Sequence, residues 1–404
     1  MALLVQKYGG SSVGTLEKIR NVANRVCAEQ AKGTGLVVVV SAMQGETDRL
    51  LSLVQQITQR PREREVDALV ATGEQVSAAL LAITLESMGV PARSMSGAQM
   101  RIQTDGHFSR ARIKHVDQDA FKAALDAGEV VVATGFQGVD SAGNITTLGR
   151  GGSDTSAVAL AAALNADECE IYTDVLGVFT ADPRICPEAQ KLDEICFEEM
   201  MEMASQGSKV LQIRSVELAM NHNVPIRVRS TFSEDRGTLV HNEDDALERL
   251  VVRGISHNMK EVKFTLCGLS HGKGAATKIF GALAEAQINV DVIVQNAPRE
   301  NHIDLSFTVD QSDRYKAEDV LKSVLEELDS ESLEIDENIG KVSIVGVGMR
   351  SHAGVAAAMF ETLYAEKIDI LMISTSEIKV TCVLAKDEIE KAVNVLHQAF
   401  ELAS

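Results

Sequence analysis

The sequence predicts an α/β protein in two halves. Residues 1–230 should form a largely parallel sheet sandwiched by helices, and the remainder two copies of one small strand–helix module. Three observations carry that reading. Short β-branched runs alternate with helical stretches through the first half. Glycine-rich turns stand where strands hand over to helices, at Gly9-Gly10 and again at Gly151-Gly152. The second half repeats itself in one register: VKFTL begins at residue 262 and VSIVG at residue 342, an offset of 80.

In chain order, LLVQK (3–7) is a candidate strand that runs into GGSSVG. Such a turn either presents backbone N–H groups to an anion or is a plain β–α turn that needs glycine for its positive φ. This stretch alone leaves both readings open. A helix is predicted near 15–32, then a strand in GLVVVVSAM (35–43) and a helix near 46–59. EVVVATGF (129–136), ECEIYTD (168–174) and VPIRVRS (224–230) supply further strands. Continuous apolar runs set between helices belong to parallel sheets covered on both faces. The charged stretch 231–248, which carries Gly237, reads as a linker.

In the repeat, Gly268 matches Gly348, Gly274 matches Gly354 and Ala276 matches Ala356. Phe280, Leu283, Ile288 and Ile293 match Phe360, Leu363, Ile368 and Ile373. Each copy reads strand, glycine turn, helix, strand, turn, strand, helix. The first copy, 262–337, closes with the candidate strand ESLEIDE (331–337), whereas the second lacks a closing strand. RLVVRGIS (249–256) is a strand without a partner of its own. We expect it to complete the second copy, so that 249–261 plus 341–404 form one module and the first copy is inserted within it.

The length of 404 residues allows two or three domains with a sizeable core. A net charge of -19 argues against nucleic acid or an anionic membrane as the main partner. The six cysteines include no C-x-x-C pair, which fits reduced thiols in a cytoplasmic protein. No apolar run approaches the roughly 18 residues that span a bilayer, and the first residues lack a signal peptide's apolar core.

The second glycine turn lies in TTLGRGGSDTSAVALAAALNAD (146–167). Ala, Leu and Val from 157 to 164 make a strong helix, and Ser153, Asp154 and Thr155 are capping types at its head. A helix N-terminus behind paired glycines attracts anions, and Arg150 beside it can hold a carboxylate through two parallel hydrogen bonds. Two such turns in one α/β domain exceed what capping requires. No Walker A loop and no strand-linked G-x-G-x-x-G occur, so a phosphate site of another design is expected. In it Lys7 is a fixed charge for the transferring phosphoryl group. Asp154 and Asp174 are candidates for magnesium or for organising the lysines, and Lys209 is a second cation. The nine histidines show no metal-ligand spacing.

KYGGSSV, VSAM, TGEQVS, TTLGRGGSDT, YTDVLGVFTADPR and GSKVLQIRSVE, in this order, resemble the signature blocks of the aspartate kinase family. The resemblance covers essentially the whole chain. It implies an amino acid kinase fold followed by two ferredoxin-like βαββαβ ACT domains. It also implies ATP-dependent phosphorylation of the side-chain carboxylate of L-aspartate, with Mg2+ entering with ATP and no tightly bound cofactor. By motif match, Lys7, Asp154 and Lys209 are catalytic, and Thr47, Glu74, Arg150, Gly151, Gly152 and Ser153 bind aspartate. Lys7, Tyr8, Gly9, Gly10, Ser41, Thr173, Asp174, Phe179, Asp182, Arg184, Lys209 and Val210 form the nucleotide site.

The same resemblance implies feedback by lysine or threonine and a homo-oligomer formed through the ACT domains. The effector contacts are Ser270, Gly274, Ala275, Ala276, Asn289, Val290, Asp291, Gln295 and Asn296 in copy one. In copy two they are Val355, Ala356, Asp369, Ile370, Ser374, Thr375 and Ser376. Two departures stand out: Leu176 replaces a frequently acidic residue, and the loop through His271, Gly272 and Lys273 lacks the family's acidic residue and proline. The competing readings are another amino acid kinase, such as acetylglutamate kinase, and a catalytically inactive amino-acid sensor. Glu74 and Arg150 together suit a zwitterionic α-amino acid.

Overall fold

The computed structural model describes residues 2–208, 210–243, 250–270, 274–298, 302–326, 328 and 332–403. The chain divides into two compact units. The first lies within residues 1–178, 191–204 and 209–245, and the second within 179–190, 205–208 and 246–404.

In the first unit the strands are β1 (Leu3–Tyr8), β2 (Gly35–Val40), β3 (Ala92–Met95), β4 (Ile102–Thr104), β5 (Ile113–Val116) and β6 (Val130–Thr134). Then come β7 (Gln137–Val139), β8 (Ile145–Thr147), β9 (Glu168–Thr173), β10 (Glu194–Cys196), β11 (Ile226–Ser230) and β12 (Thr238–His241). Eight of them form one sheet in the order β10-β12-β11-β9-β1-β2-β6-β3. Every neighbouring pair is parallel except β11 with β12. All six residues of β2 are buried, as a central strand covered on both faces requires. A small second sheet runs β5-β4-β7-β8.

The helices of this unit are α1 (Leu16–Gln30), α2 (Glu46–Ile57), α3 (Glu63–Val70), α4 (Thr72–Ser87), α5 (Asp119–Asp126), α6 (Gly152–Leu164), α7 (Phe197–Ser205) and α8 (Ile213–His222). Thr15 caps α1 by accepting from the Lys18 N–H. Ile19, Val22, Val26, Leu81 and Leu85 of α1 and α4 pack with Tyr8, Val38, Val40 and Val132 into one core. Alternation along β1 sends Lys7 to the opposite face, where it meets α6. Small side chains let that helix bury ten consecutive residues, from Gly152 to Ala161.

The span 231–248, expected as a linker, carries β12 instead. Thr238 and Val240 are buried and alternate with partly exposed Leu239 and His241, a half-buried strand hidden in sequence by its charged flanks. Residues 244–249 lie outside the described residues.

The second unit holds β13 (Gly254–Ser270), β14 (Val290–Gln295), β15 (His302–Asp310), β16 (Ser332–Val345), β17 (Met372–Thr375) and β18 (Lys379–Ala385). Its helices are α9 (Ala275–Glu285), α10 (Arg314–Leu325), α11 (Val355–Ala365) and α12 (Ile389–Ala399). One six-stranded sheet runs β14-β15-β13-β16-β18-β17. Of the strand expected at 249–256, residues 254–256 run on with the one expected from 262 as a single strand, β13, whose register shifts between Asn258 and Lys263; residues 250–253 precede it and 249 lies outside the described residues. Its residues 254–258 pair with 341–345, which pair in turn with β18, and its residues 261–267 pair with 332–339 and with β15. Each copy has its own apolar core, one around Phe264, Phe307 and Ile279, the other around Ile344, Leu363 and Leu396.

Candidate active site

Parallel strands β1, β2 and β9 end level, with Lys7 opposite Val39 and Ile171. The carboxyl ends of parallel strands are where an open α/β sheet receives ligands. The turn after β1 needs glycine for close approach: a Cβ on Gly10 would lie 2.9 Å from the Ala42 carbonyl oxygen. At the head of α6, Gly151 has a φ of +69°, and a Cβ there would overlap the Gln212 side chain at 2.0 Å.

These turns border a cavity of about 510 Å³. Lys7, Gly10, Ser41, Thr47, Glu74, Arg150, Gly151, Gly152, Ser153 and Asp154 all line it. Lys7 Nζ lies 2.6 Å from Asp154 Oδ1, with both side chains about nine-tenths buried. The contact is a close, largely buried ion pair. The first turn of α6, Gly152 to Asp154, faces the cavity and adds the positive end of its dipole.

Glu74 is 3% exposed. Its Oε1 accepts from the Ala42 N–H at 3.0 Å, while its Oε2 is buried with no partner. Burial pushes its carboxyl up from 4.5 to about 7. Arg150 is exposed at the rim and, among the described residues, has no ion-pair partner. A carboxylate oxygen without a hydrogen bond, a guanidinium without an ion-pair partner among the described residues and a lysine therefore share one cavity.

Other expected site residues do not line it. Tyr8 is fully buried, its ring stacked on Tyr172 at 4.5 Å, because the strand's alternation turns it away from Lys7. Gly9 leaves space beside the Lys7 ammonium, which a Cβ would approach to 3.4 Å. Thr173 Oγ1 donates to Asp174 Oδ1 at the end of β9, and Val210 is half-buried elsewhere in the first unit. Phe179, Asp182 and Arg184 belong to the second unit. There the Arg184 guanidinium donates to Asp182 and holds its carboxyl below the usual range. Lys209 lies outside the described residues.

The cavity also takes in residues that motif matching missed, among them Gln44, Asp48 and Phe136. Phe136 has a φ of +93°, a conformation costly for a bulky residue and concentrated at functional sites. The Gly-Phe-Gln-Gly run around it was the available signal.

Among the expected effector contacts, Gly274 (φ +65°) and Gly354 (φ +98°) cap α9 and α11. Ala275, Ala276, Val355 and Ala356 form the first turns of those helices. Ser270 ends β13. Val290, Asp291 and Gln295 lie on β14, flanked by Asn289 and Asn296, and Ser374 and Thr375 lie on β17 between Asp369-Ile370 and Ser376. β14 and β17 are the two ends of the sheet. Residues 271–273 lie outside the described residues.

Residues 2–230 match the amino acid kinase family, and residues 266–325 and 342–400 each match the ACT domain. An aspartokinase of Pseudomonas aeruginosa is 54% identical over 404 residues, covering 100% of this chain and 98% of that protein. An aspartokinase of Corynebacterium glutamicum is 47% identical over 407 residues, with 100% and 97% covered. The structure of E. coli aspartokinase III in complex with aspartate and ADP superposes with a TM-score of 0.81 at 26% identity, covering 98% of this chain and 99% of that one. The same enzyme in complex with lysine and aspartate gives 0.79. With an amino acid kinase domain, tandem ACT domains and this level of identity end to end, the chain belongs to the aspartokinase family.

Proposed function

We propose that the first unit transfers the γ-phosphoryl group of ATP to the side-chain carboxylate of L-aspartate. A carboxylate oxygen attacks the γ-phosphorus, the bond to the bridging oxygen breaks, and ADP and 4-phospho-L-aspartate leave. The observation that carries this reading is the cavity in which, among the described residues, Glu74 Oε2 lacks a hydrogen bond, Arg150 has no ion-pair partner and Lys7 sits beside the α6 N-terminus.

Glu74 would receive the substrate ammonium and Arg150 its α-carboxylate, which leaves the side-chain carboxylate to react. That group is already ionised at neutral pH, so no general base is needed. Catalysis then rests on positioning and charge neutralisation. Lys7 and the α6 N-terminus neutralise the transferring group, and Asp154 holds Lys7 in place. Gly10 and Ser41 face the phosphates. Thr173, Asp174 and Val210, all of the first unit, are proposed for the rest of the nucleotide. The Mg2+ that accompanies ATP would neutralise its phosphate oxygens, with Asp154 the carboxylate able to join it.

The E. coli relative's complexes with aspartate and ADP, and with lysine and aspartate, support both the reaction and its control. The product feeds lysine, methionine and threonine synthesis, in the cytoplasm, and lysine or threonine binding to the second unit would restrain turnover. Ile293 and Ile373, equivalent in the two copies, are exposed on the terminal strands β14 and β17 and suit pairing with a second chain.

An ADP-release assay with ATP and one acceptor at a time tests the reaction. L-aspartate should turn over, whereas succinate (no ammonium), β-alanine (no α-carboxylate) and N-acetyl-L-glutamate should not. Preferred turnover of N-acetyl-L-glutamate would overturn the substrate, and silence toward every acceptor would favour a sensor.

A further inference from the structure

Asp67 does not line the cavity, and it is 0% exposed in α3. A buried carboxylate persists where donors replace its water. Here two residues far along the chain supply four donors. The Ser109 N–H reaches Oδ2 at 2.9 Å and the Ser109 hydroxyl reaches Oδ1 at 3.2 Å. The Thr147 N–H reaches Oδ2 at 2.7 Å and the Thr147 hydroxyl reaches Oδ1 at 2.8 Å.

Both partners lead to Arg150. Thr147 ends β8, and Gly149 follows two residues later with a φ of +79°. A Cβ on Gly149 would lie 3.0 Å from the Ser109 carbonyl oxygen, so the loop before Arg150 runs against the segment that Asp67 holds. Arg214 closes the other side, donating to the Leu148 and Ala111 carbonyls at 2.8 Å each. Asp67 is also tied to Glu74, because only Ala71 separates α3 from α4. Gln137 Nε2 donates to the Ala71 carbonyl at 2.9 Å, which fixes that junction to β7, the partner of β8.

We infer that Asp67 is a positioning residue for the amino-acid acceptor: its hydrogen bonds hold the Arg150 loop in register with the helix pair that carries Glu74. This rests on the proposed assignment of those two groups to the substrate's opposite charges. Directional hydrogen bonds fix such a spacing more tightly than apolar packing does, and small misplacements of reacting groups are costly. A purely structural role would instead weaken the whole unit and move both substrates' parameters together.

Two variants test it. Asp67→Asn turns one acceptor into a donor facing donors. Thr147→Val removes only the hydroxyl donor and is the variant that decides if the first fails to fold. On the scale of misplaced catalytic groups, KM for L-aspartate should rise about tenfold or more in Asp67→Asn and about threefold in Thr147→Val, with KM for ATP within about twofold. Amide hydrogen exchange over residues 147–152 should accelerate at least about tenfold in Asp67→Asn while β1 and β2 keep their protection. Equal movement of both KM values, or unchanged exchange at 147–152, would overturn the inference. If the wild type does not phosphorylate aspartate, the substrate assignment fails and the exchange measurement decides the positioning role by itself.

Discussion

Glu74→Gln should stabilise the protein and disable its use of aspartate together. Glu74 is 3% exposed, and burial raises its carboxyl from 4.5 to about 7 in spite of the bond from Ala42. At about 1.4 kcal/mol per pH unit, that rise amounts to about 3 kcal/mol. The sign follows from proton binding. The folded state holds the proton more tightly than the unfolded chain, so the protonated group's full stability is present below pH 4.5 and is lost as pH rises toward about 7. Glutamine keeps the acceptor for the Ala42 N–H and does not titrate. The stability gap between variant and wild type should therefore open between pH 4.5 and about 7 and stay level above. For a unit of this size it should reach about 5–10 °C in Tm. Saturating aspartate brings the ammonium that Glu74 lacks, so it should narrow the gap at pH 8 by stabilising the wild type alone. In parallel, kcat/KM for aspartate should fall about tenfold per pH unit below about 7 in the wild type and stay low and flat in the variant. The assay is a set of thermal melts and coupled kinetics across pH 5–9. A pH-independent stability gap, or a variant with normal KM for aspartate, would refute the reasoning.

Lys7→Ala should lower kcat at least about a hundredfold and ATP affinity much less, because its charge acts chiefly in the transition state; near-normal turnover in single-turnover kinetics would remove it from the mechanism. Arg150→Lys keeps the charge but loses the planar fork, so steady-state kinetics should show a raised KM for aspartate with that for ATP nearly unmoved. In the second unit, Lys341 Nζ lies 2.8 Å from a Glu261 oxygen, and the two side chains are 2% and 5% exposed. Lys341→Met should cost about 3–5 kcal/mol in denaturant unfolding, and adding Glu261→Leu should recover most of it. A bulky substitution at Ser374 or Gln295 should relieve inhibition by lysine and threonine, tested singly and together, without lowering uninhibited turnover. A wild type indifferent to both amino acids would sink the regulatory assignment.

The legible parts of this chain were those in which one residue type answers to one constraint. The valines of β2 announce a strand buried on both faces, and all of them are buried. Gly10 and Gly151 announce close approaches, and each would clash if it carried a Cβ. Glu74 was harder, because a glutamate on a helix is ordinarily solvated. Its neighbour held the clue. Gly73 weakens the helix interior unless something must come close, and a Cβ there would lie 2.8 Å from the Ala42 Cβ. The strand β12 and the continuity of β13 were hidden because charged residues surround the first and interrupt the second.

The least visible feature was carried by the repeat itself. Glu261 and Lys341 stand at equivalent positions, since 261 plus 80 is 341, yet they have opposite charges. Aligned for conservation, that position looks like noise. In the fold the two residues form a buried ion pair where strands β13 and β16 pass from one module to the other, joined by Asp291 on β14. Two identical copies would place glutamate against glutamate or lysine against lysine at this junction, a like-charge contact with no water to screen it. The opposite charges at this equivalent position therefore suit the contact that the two strands make within one chain.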